Sequence, residues 1–250
     1  MAGIAAGNGF CSKGQYRGIA PEANIVVVKI LDAEGKGNAA DVLAGLQWVM
    51  DNREKYNIRV ANLSIGTLDV GSTDPLVRAV EYAWEQGVVI VVAAGNNGPD
   101  YKTVTSPGIS RKVITVGASD DHNSVTIWGT SLVNFSGRGP TSECIIKPDV
   151  LAPGSEIISC LSTSDSISKR RHDDLKIVND FYVKMSGTSM ATPVISGAVA
   201  LLLEKYPNLT PDDVKYRIKN SAVNLNYPPN QQGWGLLNVQ RLLEQEGLHV

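Results

Sequence analysis

The sequence predicts one α/β domain spanning residues 1–250: a three-layer, doubly wound parallel sheet with helices on both faces. Three observations carry that expectation. Strand-length runs at residues 25–30 (IVVVKI), 60–65 (VANLSI), 88–94 (VVIVVAA) and 113–118 (VITVGA) are apolar almost throughout, as strands covered on both faces are. Segments with apolar residues at helical spacing separate them, the alternation that builds a parallel sheet through right-handed crossovers. No internal repeat, low-complexity tract or Pro/Ser-rich linker divides the chain, and 250 residues suit one sizeable domain.

Each element has a local reason. Residues 25–30 read as a buried strand. After the turn at Glu34-Gly35-Lys36-Gly37, Asn38 can cap a helix whose apolar face holds Val42, Leu43, Leu46, Val49 and Met50. Residues 60–65 form the next strand, which Gly66 ends. Asp74-Pro75 pairs an N-cap with proline at the first helical position, and Leu76, Val77, Val80, Ala83 and Trp84 form that helix's apolar stripe up to Gly87. Residues 26–29, 60–63, 88–93 and 113–116 are expected to be parallel neighbours in one sheet. The second half is less regular. Residues 120–148 carry turn signals, and 162–180 read as a polar surface excursion. Residues 189–203 are nearly all apolar or small, which places a helix at the centre of the domain. Thr210-Pro211-Asp212-Asp213 opens another helix, and a last one follows Asn238.

Composition excludes several classes. With 43% apolar and 19% charged residues the chain is not disordered. Lys plus Arg is 23 against 25 Asp plus Glu, a net −2 without a basic cluster, so no nucleic-acid partner is expected. No apolar run nears the ~20 residues that span a bilayer, so no membrane partner is expected either. Cys11, Cys144 and Cys160 are an odd number without metal-ligand spacing and read as free thiols. That favours a reducing, cytoplasmic compartment.

Three segments carry chemistry. In Gly187-Thr188-Ser189-Met190-Ala191-Thr192-Pro193, small residues lead to a serine at the mouth of the buried helix. A helix N-terminus presents free N–H groups and positive dipole character, so a hydroxyl there can attack a carbonyl while N–H groups receive the oxyanion. The plainer alternative is that Ser189 caps the helix. In Ala93-Ala94-Gly95-Asn96-Asn97-Gly98, an amide follows the C-terminal end of a buried strand, the edge where open α/β sheets bind ligands. Asn96 can donate to a developing oxyanion, or Asn-Asn-Gly can simply turn the chain. In Asn62-Leu63-Ser64-Ile65-Gly66, another strand ends in small residues, and its backbone edge can pair with an extended peptide.

In this order the segments resemble the subtilisin-like serine proteases, whose serine motif is G-T-S-M-A-x-P and whose oxyanion motif is A-A-G-N. Ser106-Pro107-Gly108 and the stretch 135–154, with F-S-G-R-G-P and K-P-D-V-L-A-P-G, also match. Gly14-Gln15-Tyr16-Arg17-Gly18, Ala20-Pro21-Glu22-Ala23-Asn24 and residues 74–80 look like the intracellular, AprX-like branch. The resemblance implies a serine endopeptidase that forms an acyl-enzyme on Ser189. Asn96 and the Ser189 N–H would hold the oxyanion. Ser64, Ile65 and Gly66 would form one wall of the pocket for the side chain before the scissile bond, and Ala93, Ala94 and Gly95 the other. It also implies a cis Ser106–Pro107 bond and a peptide or protein substrate. No cofactor is required. Relatives often bind structural calcium, but Asp120-Asp121 and Asp173-Asp174 read as solvated loop charges.

One part of the pattern is absent. The family's histidine motif ends in A-G-I, and Ala2-Gly3-Ile4 matches that end. The catalytic histidine, and the aspartate before it, are therefore expected upstream of Met1, and residues 1–250 are expected to be inactive alone. With the upstream part unseen, secretion is the alternative to the cytoplasm. His122, His172 and His249 lie in polar or terminal segments and read as surface histidines. Val194 stands where the family usually has histidine. Two alternatives stay open: a non-catalytic protein that keeps the groove for peptide binding or regulation, and a ligase use of the same acyl-enzyme.

Overall fold

The computed structural model describes residues 1–32, 35–67, 71, 73–124, 126–127, 129–162 and 176–244. Its centre is the expected parallel sheet. Strands β1 (Val60–Leu63), β2 (Val89–Ala93) and β3 (Ile114–Asp120) lie side by side, and β5 (Val150–Pro153) joins the far side of β3. All three junctions are parallel: Val60 faces Val89, Val91 faces Ile114 and Val116 faces Val150. The two-residue β4 (Ser131–Leu132) pairs antiparallel with the end of β3. Residues 88–92 are completely buried, and each such side chain contributes about 1.5–3 kcal/mol of burial.

Helices flank this sheet where the pattern places them. In α2 (Ala39–Asn52), the Asn38 side chain accepts the Asp41 N–H, and Val42, Leu46 and Met50 are buried. In α3 (Pro75–Glu85), Asp74 accepts the Leu76 N–H, and the whole predicted stripe is buried. Helix α3 packs on β2 and against α2. The long α4 (Thr188–Lys205) crosses β1, β2, β3 and β5 and is buried on nearly every side. A short α1 (Ala2–Ala6) packs on it. Thr210 and Asp213 close a reciprocal capping box at the start of α5 (Pro211–Ser221). The short α6 (Pro229–Gln232) and α7 (Val239–Glu244) follow. The Ser106–Pro107 bond is cis, as expected.

Two expectations are corrected. Residues 25–30 are neither a strand nor buried: Val26 and Val27 are 42% and 76% exposed. Among the described residues no ladder partner lies alongside the segment, and Val28 and Ile30 lie over Gly45 of α2. An apolar run becomes a strand only where a neighbour takes its N–H and C=O groups. The second correction is a sheet inside the supposed surface excursion. Strands β6 (Ile157–Cys160), β7 (Lys176–Asn179) and β8 (Tyr182–Met185) pair antiparallel in the order β6-β8-β7. Part of the excursion, 163–175, lies outside the described residues.

Candidate active site

Strand β8 runs directly into the loop that starts α4, which brings Ser189 to the C-terminal edge of the parallel sheet. Gly187, not Ser189, is the N-cap of α4, and it has no side chain with which to cap the helix. The capping alternative for Ser189 therefore falls away. Ser189 stands in the first turn, where helical N–H groups lack intrahelical partners.

Pro193 decides how this turn is tied down. It lies inside α4 and has no N–H, so the carbonyl four residues back, that of Ser189, receives no helical hydrogen bond. The Ser64 hydroxyl donates to it instead, at 3.0 Å. Ser64 Oγ in turn accepts from Asn62 Nδ2 at 3.0 Å, and Asn62 Oδ1 accepts from Ser196 Oγ at 2.9 Å. A polar chain thus fastens the end of β1 to α4. The Ser189 hydroxyl donates to the Ser64 carbonyl at 3.3 Å.

Asn96 follows β2 and reaches the same place. Its Oδ1 accepts two hydrogen bonds from Thr188, from the backbone N–H at 2.9 Å and from the hydroxyl at 3.0 Å. A backbone N–H can only donate, so its partner must be the amide oxygen. The NH₂ is thereby the end of the amide that Thr188 does not engage, and Nδ2 lies 3.4 Å from where a Cβ on Gly187 would stand. Ser189 and Asn96 are brought together through one intervening residue, Thr188.

The six expected wall residues also converge. Ser64, Ile65 and Gly66 extend β1, while Ala93, Ala94 and Gly95 end β2, the strand paired with it. A third segment lies against both: it holds Ser106, already noted in the Ser106-Pro107-Gly108 match, and Thr105, which sequence reasoning passed over. The Thr105 N–H donates to the Ala94 carbonyl at 3.0 Å, and Ser106 exchanges two backbone hydrogen bonds with Thr67. Ser106 Oγ donates to the buried carboxylate of Asp74, which also caps α3.

His122 makes its contacts elsewhere. His122 is exposed, bonds to Ser131 Oγ at 3.0 Å and sits 3.6 Å from Asp120. His172 and His249 lie outside the described residues. Asp120 and Asp121 accept the N–H groups of His122 and Asn123, closing local turns. Asp173-Asp174 lie outside the described residues. Among the described residues no group of three or more His, Cys, Asp or Glu is placed to hold a metal, and no helix is long and apolar enough to cross a membrane.

Comparison with known proteins fits this geometry. The chain is 45% identical over 247 residues to the serine protease AprX of Bacillus subtilis, covering 96% of this chain and 55% of that protein. It is 33% identical to subtilisin DY of Bacillus licheniformis, covering 89% of this chain and 69% of that one. Among solved structures, fervidolysin from Fervidobacterium pennivorans superposes with a TM-score of 0.76 at 30% identity, over 98% of this chain and 35% of that one. The chain thus spans about 55% of the length of AprX. The subtilase family profile matches residues 1–235, and the chain belongs to that family.

Proposed function

We propose that the chain carries the nucleophile and oxyanion site of a serine endopeptidase. The observation that carries this reading is the double hydrogen bond from Thr188 to Asn96 Oδ1, which engages the amide oxygen and leaves the NH₂ end for an oxyanion beside Ser189. In the reaction, Ser189 Oγ attacks the peptide carbonyl as its proton passes to a histidine base. The Asn96 NH₂ and the Ser189 N–H hold the oxyanion, and collapse expels the amine, which takes the proton. Water then attacks the acyl-enzyme with the same base and releases the acid.

The base and its carboxylate partner are assigned to residues upstream of the Ala2-Gly3-Ile4 match. Supporting this, the Ser189 hydroxyl rests on the Ser64 carbonyl, and His122 is engaged at Ser131. Residues 1–250 alone are accordingly expected to turn peptides over very slowly. The test compares the 250-residue chain with one extended upstream to include the histidine motif, by fluorophosphonate labelling and casein hydrolysis, with Ser189→Ala as the blank. The extended chain labels and hydrolyses, and Asn96→Ala lowers its kcat by about 10²–10³, a magnitude carried over from subtilisin. Strong Ser189-dependent hydrolysis by the short chain would overturn the placement of the base. Unlabelled Ser189 in the extended chain would overturn the enzyme reading and leave a peptide-binding protein.

A further inference from the structure

A buried hydrogen-bond chain runs from the segment 105–108 to a lysine. The Thr115 hydroxyl, on β3, donates to the Gly108 carbonyl at 2.5 Å. Gly108 is tightly packed: a Cβ on it would lie 3.0 Å from the Thr105 carbonyl oxygen and 3.1 Å from that of Ala93, one of the wall residues. The Thr115 bond thus fastens Gly108 beside the wall. Thr115 Oγ1 in turn accepts from Lys147 Nζ at 2.9 Å. The same ammonium donates to the Val113 carbonyl at 3.1 Å and to Asp149 Oδ2 at 2.6 Å. Thr115 and Lys147 are both buried.

A lysine ammonium has three N–H donors and no acceptor, and here each donor has its own partner. An amine has two donors and a lone pair, so loss of the proton leaves three partners for two N–H groups. The Val113 carbonyl and the Asp149 carboxylate have no proton to offer. The Thr115 hydroxyl has one, and turning it from Gly108 to the amine satisfies the buried lone pair, which is costly to leave unpaired. Gly108 then loses its tie. We infer that Thr115 is a positioning residue for the segment 105–108, and that the protonation of Lys147 decides whether its hydroxyl holds Gly108. The inference rests on the wall assignment and the protease reading above. The charged groups facing Lys147 are Asp149 from β5, Lys215 from α5, whose ammonium lies 3.4 Å from Asp149 Oδ1, and Glu81 from α3. Burial lowers the Lys147 pKa from 10.5 to about 8; Asp149 opposes the lowering, Lys215 adds to it and Glu81 opposes it more weakly. Ser189 and Asn96 are held by other bonds, to Ser64 and Thr188, so the reversal acts on KM and spares kcat.

The test uses the full-length natural chain in two arms. In the first, KM and kcat for N-acetyl-Ala-Ala-Pro-Leu p-nitroanilide, a substrate that does not titrate in this range, are measured from about pH 6.5 to 9.5. In the second, amide hydrogen exchange across residues 103–110 of the Ser189→Ala chain is followed over the same range, corrected for the intrinsic rise of exchange with pH. The wild-type KM is expected to rise by about threefold to tenfold through pH 8, the fold-change of one net hydrogen bond, and exchange rises in step. Thr115→Val has no hydroxyl, so both readings stand high at every pH. Thr115→Ser keeps the hydroxyl and restores the step. Lys147→Met removes the competing amine, so Thr115 stays on Gly108 and both readings stay low and flat. A flat wild type, or a step that survives in Thr115→Val or in Lys147→Met, overturns the inference. Thr115→Val leaves the Lys147–Asp149 pair in place, so it decides the matter even where Lys147→Met does not fold. An exchange step without hydrolysis at any pH overturns the protease reading and leaves the coupling of Lys147 to Thr115 standing.

Discussion

Residues 25–30 (IVVVKI) and strand β2 (VIVVA) are nearly the same in composition and opposite in fate. Strand β2 lies between β1 and β3 under α4, and all its residues are buried. The other run has no ladder partner among the described residues, and Ile25, Val26 and Val27 are exposed. The side chains cannot account for the difference. What β2 has is a strand on each side to take its backbone groups and a helix to cover its face. Strand propensity is a statement about fit to a half-built surface, and, among the described residues, 25–30 fit against the edge of α2.

The largest expected contrast is a charge placed in each run. Val91→Asp buries a carboxylate between two strands, and chemical denaturation should show a loss above about 4 kcal/mol or no folded protein at all. A loss below 1 kcal/mol would mean that β2 is not the centre of the core.

An intermediate effect sharpens the account of what holds β2's neighbours. Lys147 is 1% exposed, and its ammonium bonds the Val113 carbonyl, Thr115 Oγ1 and Asp149 Oδ2 at the starts of β3 and β5. Burial lowers its pKa from 10.5 to about 8; Lys215 adds to the lowering, while Asp149 and, more weakly, Glu81 oppose it. Between about pH 8 and 10.5 the unfolded chain therefore binds more protons than the folded one at this site. Stability from this group rises with pH across that window, by up to about 1.4 kcal/mol per unit. Lys147→Met should flatten the rise in urea unfolding curves taken at pH 7.5, 9 and 10.5. Parallel curves for the two proteins would remove Lys147 as the source.

The smallest effect belongs to the other run. Val27→Asp should change stability by no more than about 0.5 kcal/mol, as surface substitutions do. A loss comparable to that of Val91→Asp would show residues 25–30 to be covered in solution.

The same contrast marks what was legible in the sequence. Strands β1, β2 and β3 were, and so were the helix caps, because Asn38, Asp74 and Thr210 satisfy local N–H groups whatever the rest of the chain does; β5, also in the core sheet, was not read as a strand. The sheet β6-β8-β7 was not: β7 is exposed along its length and shows no buried periodicity. Ser189, Asn96 and the wall residues were found by motif, and their convergence follows from the parallel order of β1 and β2. Thr105 stayed hidden because its place is set by two glycines distant in sequence, Gly66 and Gly95, whose missing side chains leave room for it. Only the sign left by the glycines themselves, at the ends of adjacent strands, pointed toward a side chain entering between them.

The proline in α4 has one more consequence. By withholding a hydrogen bond from the Ser189 carbonyl, Pro193 makes that peptide unit answer to Ser64, a residue of the sheet margin, rather than to its own helix. Motion of the nucleophile is then slaved to motion of the strand beside which substrate would lie. Thermal loosening of that strand end should release the serine in the same event, so the site is lost as a unit before the rest of α4 unravels.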